Sequence, residues 1–360
     1  MNYTKHLAPQ TTPQSQPLFG RSDMKPNSAG GYTFTLTPWE QLDRFFVLSS
    51  DGNTYYASEK KLTKDNAENV LKCIQEDGVR VVNRIIEFVK ENRAPKIDPL
   101  IFTLALCVSF GNEATKKAAF NAVPVVCNIG THLFHFVRDA CSFRGWGQGF
   151  KKAVRRWYEV KSDNDLAYQA VKYQQRDGWS HRDLLRLTHP KAKTPLREGL
   201  YRWIVKGDDG TPNPAFSLRM LSAYELAQKA ESALALVKVI EQYPDIPREA
   251  LPTQFLTDKA VWLALLPKMP MTAMIRNLGN MTKVGALELF SDSVKHVVAQ
   301  LSDEDKLKRA RIHPIQVLSA LMTYGQGHGT RGKGEWIPIP QIVDALDSAF
   351  YLAFKNVEPT

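Results

Sequence analysis

Apolar residues recur at the spacing of an α-helix along most of this chain, and few strand-like segments interrupt them. Between residues 81 and 89, valine and isoleucine form one such stripe, which ends before Pro95. Asp98 and Pro99 predict the start of the next helix, and Gly111 predicts its end. Further helices are predicted over residues 113–127, 131–142, 147–160, 164–176, 181–188, 196–205, 216–243, 258–267, 271–279, 283–300, 314–324 and 340–356.

Many of the predicted helices are about 10 to 17 residues long, and short connectors join them. That pattern is typical of stacked antiparallel helix pairs. No internal period of about 34 or about 40 residues repeats cleanly along the sequence. We therefore predict an all-α fold, specifically a degenerate HEAT-like array of helical repeats. A compact and irregular all-α domain is the alternative.

The N-terminal segment differs in composition from the rest. Residues 1–31 are rich in Pro, Gln, Ser and Thr and poor in large apolar residues, so we predict a flexible arm there. Short strands are predicted at residues 32–36 and 54–56. The remainder, residues 32–360, is predicted to be one helical domain.

Several classes of protein are disfavoured by composition. No run reaches the roughly 18 consecutive apolar residues of a membrane span, and the N-terminus shows no apolar core of a signal peptide. The four cysteines form no C-x-x-C pair and three of them lie among apolar residues. Free thiols of this kind are typical of a reducing compartment, so the sequence predicts a cytoplasmic protein without a disulfide framework or zinc ribbon.

Positive charge is concentrated in the segment of residues 138–193. Thirteen Lys and Arg stand there against six Asp and Glu, an excess of +7 in a chain whose formal net charge is +10. Tryptophan, tyrosine and histidine residues are interleaved with these cations. Cations bind phosphate oxygens and planar side chains stack on exposed bases, so the segment predicts nucleic-acid binding. A solvated helix face and a protein-binding surface are the alternatives.

No catalytic constellation is evident. The loop Gly325–Gly334 partly fits the pattern of a phosphate-binding loop, but Gly334 stands where that pattern needs Ser or Thr, and no strand precedes the loop. His132 and His135 are spaced for one helix face, yet no third metal ligand is evident beside them other than Asp139. The sequence therefore predicts neither an enzyme nor a metal or cofactor site.

Several runs resemble the Ro autoantigen family and its TROVE module, in the order that the family has them. The most distinctive is KYQQRDGWSHRDLLRLTH at residues 172–189. The others lie at residues 45–56, 116–120, 131–134, 270–279, 310–314 and 327–333. The resemblance extends from about residue 32 to the end of the chain.

This resemblance implies a fold and a function. The fold would be a ring or open horseshoe of HEAT-type repeats. Such proteins bind structured non-coding RNAs of the Y type on a basic outer surface and pass single-stranded 3′ ends of misfolded RNAs into a central hole. The implied role is RNA quality control in a ribonucleoprotein.

The resemblance also assigns residues. On the outer surface, Lys172 and Arg176 would contact phosphates and His189 a base or ribose, a role that His181 could share. The alternative for His189 is a helix-end histidine packed beside Pro190. The hole would be lined by Thr131, His132, Arg138, Lys151 and Arg155. The remaining candidate RNA contacts belong to the same basic segment: Lys152, Arg182 and Arg186.

The sequence departs from the family in one respect. Family members normally continue into a von Willebrand factor A domain with a D-x-S-x-S metal site, and no D-x-S-x-S occurs here. We expect an isolated TROVE module or a natural minimal form, with ring closure left open. The alternative function is a helical-repeat scaffold whose main partner is an RNA-processing protein, such as an exoribonuclease or RNA ligase.

Overall fold

A computed structural model describes residues 15–18, 21–27, 29–49, 59–329 and 334–356. The strand predicted at residues 54–56 therefore lies outside the described residues, as do most of residues 1–20 and part of the loop Gly325–Gly334. None of the helices in the described part combines the length and apolar character that a membrane span requires.

Helices account for most of the described chain. They are α1 (Pro38–Leu48), α2 (Glu59–Glu91), α3 (Asp98–Phe110), α4 (Glu113–Val126), α5 (Gly130–Phe143), α6 (Gln148–Glu159), α7 (Asp163–Lys172), α8 (His181–Thr188), α9 (Pro195–Lys206), α10 (Arg219–Gln228), α11 (Ala233–Gln242), α12 (Lys259–Leu265), α13 (Met271–Lys283), α14 (Asp292–Leu301), α15 (Glu304–Arg309), α16 (Pro314–Gly325) and α17 (Pro340–Ala353). The predicted all-α class is confirmed.

Two small antiparallel hairpins accompany the helices. Strand β1 (Met24–Pro26) pairs with β2 (Tyr32–Phe34), with Met24 opposite Phe34. The domain boundary predicted at residue 31 thus falls inside a hairpin, because β1 belongs to the segment predicted as an arm. The second hairpin joins β3 (Gln175–Arg176) to β4 (Trp179–Ser180).

The helices form an array in which each packs on its neighbours in sequence and on the second or third helix along the chain. In the first half, α2 contacts α4, α3 contacts α5, and α4 contacts α6, which is the order expected for stacked helix pairs. The array continues through α6 and α8, α7 and α10, and α11 and α12. In the last part α13 packs on α16, and α16 and α14 both pack on α17. One continuous apolar core runs along the array.

The two ends of the array meet. The loop after α2 approaches the segment before α16, where Asn92 Nδ2 donates to the Arg311 carbonyl at 3.4 Å. The Gln316 amide donates to the Pro95 carbonyl at 3.5 Å. We call this contact between residues 92–96 and 311–316 the seam. The array is therefore closed on itself at the seam.

Several predicted helices differ in their bounds from the observed ones, and three of the differences have a local reason. The helix predicted over 164–176 ends at Lys172, because Asp177 and Gly178 adopt positive φ angles of 54° and 77° and form the turn of the β3–β4 hairpin. The long helix predicted over 216–243 is divided into α10 and α11. The one predicted over 283–300 begins only at Asp292, after Ser291, which caps it.

Arg197 of α9 holds the connection between α6 and α7. Its Nη1 donates to the Tyr158 carbonyl at 2.9 Å, its Nη2 donates to the Lys161 carbonyl at 2.6 Å, and its Nε donates to Asp163. The side chain is only 12% exposed, so these bonds have little competition from water.

We predict that Arg197→Lys lowers the free energy of unfolding by about 2 kcal/mol, because a lysine cannot replace three hydrogen bonds of a planar fork. Urea titration followed by circular dichroism measures this. The matched control is Arg182→Lys, an exposed arginine without a partner among the described residues, which should change stability by less than about 0.5 kcal/mol. Equal effects of the two substitutions would contradict this stabilising role of Arg197.

Candidate nucleic-acid interface

Helix α6 separates its cations from its apolar residues. Its buried face is formed by Phe150, Ala153, Val154, Trp157 and Tyr158. Its other positions include the four cations Lys151, Lys152, Arg155 and Arg156. Burial of the apolar face therefore turns this cluster of charge toward solvent.

Helix α8 repeats this division within eight residues. Its start is fixed by a capping box, in which the Ser180 hydroxyl and the Asp183 carboxylate each accept a backbone N–H from the other's residue. Arg182, Arg186 and His189 follow at intervals of four and three residues, so they lie on one face, and all three are exposed. No side-chain partner is present for them among the described residues.

One hydrogen bond joins α6 to the C-terminal end of α8. Arg155 Nε donates to the Thr188 carbonyl at 2.9 Å, at the C-terminus of α8, where a positive charge also complements the helix dipole. His189 is the next residue and takes a left-handed conformation with φ 47°. We call six basic residues of the two helices the basic surface: the exposed Lys152, Arg182, Arg186 and His189 and the half-buried Lys151 and Arg155.

The β3–β4 hairpin presents a further cation. Arg176 in β3 is exposed, and within the described residues its guanidinium has no hydrogen bond or ion pair. The hairpin turn is tied to α5, because Asp177 accepts from Arg138 Nη1 at 2.9 Å and pairs with the His135 ring. The turn is thus fixed by Asp177, and the charge of Arg176 is not used to hold it.

Lys172 is half-buried at the end of α7. Its Nζ donates to the Tyr168 hydroxyl at 2.9 Å and lies 5.2 Å and 5.3 Å from the ring centres of Tyr168 and Tyr173. Burial lowers the pKa of Lys172, but the bond to Tyr168 and the two nearby tyrosines raise it, and the net pKa is raised. The ammonium therefore stays charged at neutral pH and is positioned between two rings.

His181 does not lie at the surface. Its side chain is 2% exposed, its Nδ1 is 2.9 Å from the Tyr158 hydroxyl, and its ring stacks on Trp157 with centroids 5.8 Å apart. Burial lowers its pKa to about 4. The expectation that His181 shares the RNA contact of His189 is therefore corrected, because the ring is enclosed in the core.

The residues predicted around the hole fall into two places. Thr131 and His132 lie in the first turn of α5, and burial followed by the neighbouring His135 lowers the pKa of His132 to about 4, so its ring is neutral at pH 7. Arg138 is bound to Asp139 at 2.7 Å and to Asp177, which offset its charge.

Arg155, which was predicted with the hole residues, donates to the Thr188 carbonyl, next to the predicted outer residue His189. Lys151 lies one helical turn before Arg155 in α6.

Sequence reasoning missed two supporting residues. Tyr168 lies one turn before Lys172, a spacing that could have indicated the contact. Asp177 anchors the hairpin, and the Asp-Gly dipeptide at 177–178 is a strong signal of a two-residue turn.

The described part of the chain offers no candidate metal centre. It contains no group of three or more His, Cys, Asp or Glu side chains placed to hold a metal ion. In the loop Gly325–Gly334, the Gly329 amide donates to the Gly334 carbonyl at 3.2 Å, and His328 pairs with Glu335. The ends of this loop therefore meet as in a hairpin, and helix α16 precedes it, as the sequence predicts.

The lowered pKa values of His132 and His181 predict a pH-dependent stability. Between the ordinary pKa of 6.5 and the folded value of about 4, the unfolded chain binds more protons than the folded chain. Stability from these residues is therefore fully present above pH 6.5 and falls as the pH drops toward 4. Each histidine contributes a slope of about 1.4 kcal/mol per pH unit.

Urea titrations between pH 7 and pH 5 measure this slope. His181→Gln should reduce the slope by about 1.4 kcal/mol per pH unit, because the substitution removes the titrating ring. An unaltered slope in His181→Gln would show that burial does not hold this histidine neutral.

Comparison with known proteins identifies the family. The TROVE domain model matches residues 25–243 and 242–323. The chain is 38% identical over 361 residues to the RNA-binding protein RO60 of Deinococcus radiodurans, covering 99% of this chain and 67% of the relative. It is 35% identical over 411 residues to the RNA-binding protein RO60 of Caenorhabditis elegans, covering 93% of this chain and 63% of the relative.

A solved structure is also similar. The crystal structure of the Deinococcus radiodurans RO (RSR) protein superposes with a TM-score of 0.72 at 39% identity, covering 90% of this chain and 65% of that one. This chain spans about two thirds of the length of the relatives that it matches. The names of the two relatives describe RNA binding and no catalytic activity. The chain belongs to the TROVE-domain family of Ro proteins.

Proposed function

We propose that this chain binds structured small non-coding RNA of the Y type through the basic surface and Arg176. The observation that carries the proposal is that Lys152, Arg182 and Arg186 are exposed and have no partner among the described residues. Cations already bound to carboxylates add little attraction for phosphate, whereas free ones contribute by releasing counterions from the RNA. The two relatives named RNA-binding protein RO60 support the same class of ligand.

The distribution of residue types suggests how the RNA is recognised. Arginine forks and lysines suit phosphate oxygens, so affinity comes mainly from the backbone and falls with salt. The deep major groove of an A-form helix excludes side chains, so specificity comes from RNA shape and unpaired bases. His189 has an exposed ring at the end of α8 and is proposed to contact a base or ribose. Lys172 is proposed to contact a phosphate beside Tyr168 and Tyr173.

The proposal includes a second mode, in which single-stranded 3′ ends of misfolded RNA enter the central hole. This mode rests on the family resemblance, with Thr131 and His132 as the proposed contacts. A neutral His132 ring suits base stacking better than phosphate binding.

The role that follows is RNA quality control, with an exoribonuclease or RNA ligase as the proposed protein partner and the cytoplasm as the proposed location. The alternative remains a scaffold that serves such a partner without binding RNA itself.

The proposal predicts the behaviour of an Arg182→Gln/Arg186→Gln double variant. Losing two phosphate contacts should weaken binding of a structured small RNA about tenfold at moderate salt. It should also reduce the slope of log affinity against log salt by about 1.5. Filter binding at several salt concentrations between about 50 and 200 mM measures both quantities.

A control variant of equal charge makes the test specific. Lys238 and Lys308 are exposed cations outside residues 138–193 and have no partner among the described residues. Lys238→Gln/Lys308→Gln should leave the slope close to that of the wild type. If both double variants lose affinity equally, net charge and not the basic surface drives binding. If the wild type binds no RNA at low salt, the scaffold alternative is favoured.

A further inference from the structure

A cavity of about 540 Å³ lies at the seam and has no part in the RNA binding proposed above. Its two long walls are faces of α13 and α16, which pack side by side. Pro95 and Lys96, from the other end of the array, close one end, and Gly329 and Trp336 close the other. Its volume lies within the range of about 300–1,000 Å³ that is typical of small-molecule sites. We call it the seam pocket.

The lining of the seam pocket favours an anion. None of the described residues that line it is acidic, whereas Arg276 and Lys96 are both cations. Arg276 is exposed and its guanidinium has no hydrogen bond or ion pair within the described residues. A free arginine fork beside a concave surface is the arrangement that binds phosphate in two hydrogen bonds.

One wall of the pocket is a fixed aromatic ring. Trp336 is half-buried, its Nε1 donates to the Tyr324 carbonyl at 3.0 Å, and its ring lies 6.1 Å from that of Tyr324 at an angle of 21°. The indole packs directly on the backbone of α13, because a β-carbon at Gly279 would lie 2.7 Å from it. A ring held in this way is ready to stack on a planar ligand without further ordering.

The cation and the contact of the ring lie on one face of α13. Arg276 precedes Gly279 by three residues. Its side chain therefore leaves α13 about one helical turn before the point where the indole contacts the helix. That spacing is comparable with the separation of the base and the phosphate within one nucleotide. Gln316, Ser319 and Thr323 of α16 also line the pocket. Gln316 Nε2 donates to the Pro95 carbonyl and the Ser319 hydroxyl donates to the Ile315 carbonyl at 2.8 Å, so their oxygens are left as acceptors for the edge of a base.

We infer that the seam pocket binds a single nucleotide, with the base against Trp336 and the phosphate on Arg276. The nucleotide is either free or the terminal residue of an RNA strand, since both present the same chemistry. Because Pro95 and the α13–α16 walls come from opposite ends of the array, the bound nucleotide also bridges the seam. This site is separate from the basic surface and does not depend on the function proposed for it.

Isothermal titration calorimetry on the full chain tests the inference with adenosine monophosphate, adenosine and inorganic phosphate as probes. Adenosine monophosphate should bind, and the other two should bind at least about tenfold more weakly, because each lacks half of the contacts. Arg276→Gln should weaken adenosine monophosphate about tenfold and leave adenosine unchanged. Ser319→Phe, which places a ring in the cavity from an exposed position, should abolish binding of both.

The matched control is Arg182→Gln/Arg186→Gln, which removes exposed arginines from the basic surface and should leave adenosine monophosphate binding intact. Competition by an RNA with a single-stranded 3′ tail would assign the site to strand ends, and its absence would assign it to free nucleotide. The inference is overturned if adenosine monophosphate does not bind at millimolar concentration. It is also overturned if Arg276→Gln and Ser319→Phe bind it as tightly as the wild type.

Discussion

The packing of α6 on α8 around one buried histidine determines where the charge of this protein lies. His181 stacks on Trp157 and contacts the Tyr158 hydroxyl, and its edge faces Phe134 with ring centroids 4.8 Å apart. The start of α5 approaches the His181 ring so closely that a β-carbon at Gly130 would lie 2.9 Å from His181 Nε2. Because these rings occupy the inner faces of both helices, the lysines and arginines between them have only the outer faces left. The basic surface is thus a consequence of core packing.

Charge counted along the sequence overstates the charge offered to a ligand. Arg144 donates to the Val108 carbonyl at 2.5 Å, and Lys161 binds the Asn128 carbonyl and Asp165 at 3.0 and 3.1 Å. Arg197, just beyond the segment, is enclosed in the same way. These cations satisfy carbonyl groups at helix ends, where water is partly excluded. What remains for a polyanion is a smaller set, concentrated on α6, α8 and the β3–β4 hairpin.

The sequence predicted the bounds of the helices better than it predicted the contacts between them. Helix α8 has the predicted bounds, because its capping residues and its apolar spacing are local signals. The break after Lys172 was missed because the predicted helix ran on to residue 176, through the residues that form β3 before the Asp-Gly turn. The burial of His181 was also missed, because an amphipathic pattern does not tell which of two neighbouring histidines lies under a distant ring. The seam joins residues more than two hundred positions apart, which no local pattern can indicate.

The central claim is that structured RNA lies on the basic surface. The most direct test is photo-crosslinking of the full chain to a 4-thiouridine-substituted structured small RNA, followed by mass spectrometry of the crosslinked peptides. We expect crosslinks within residues 151–156, at or beside Arg176, and within residues 182–193. Crosslinks found mainly on α14 and α15, with none in those three segments, would contradict it.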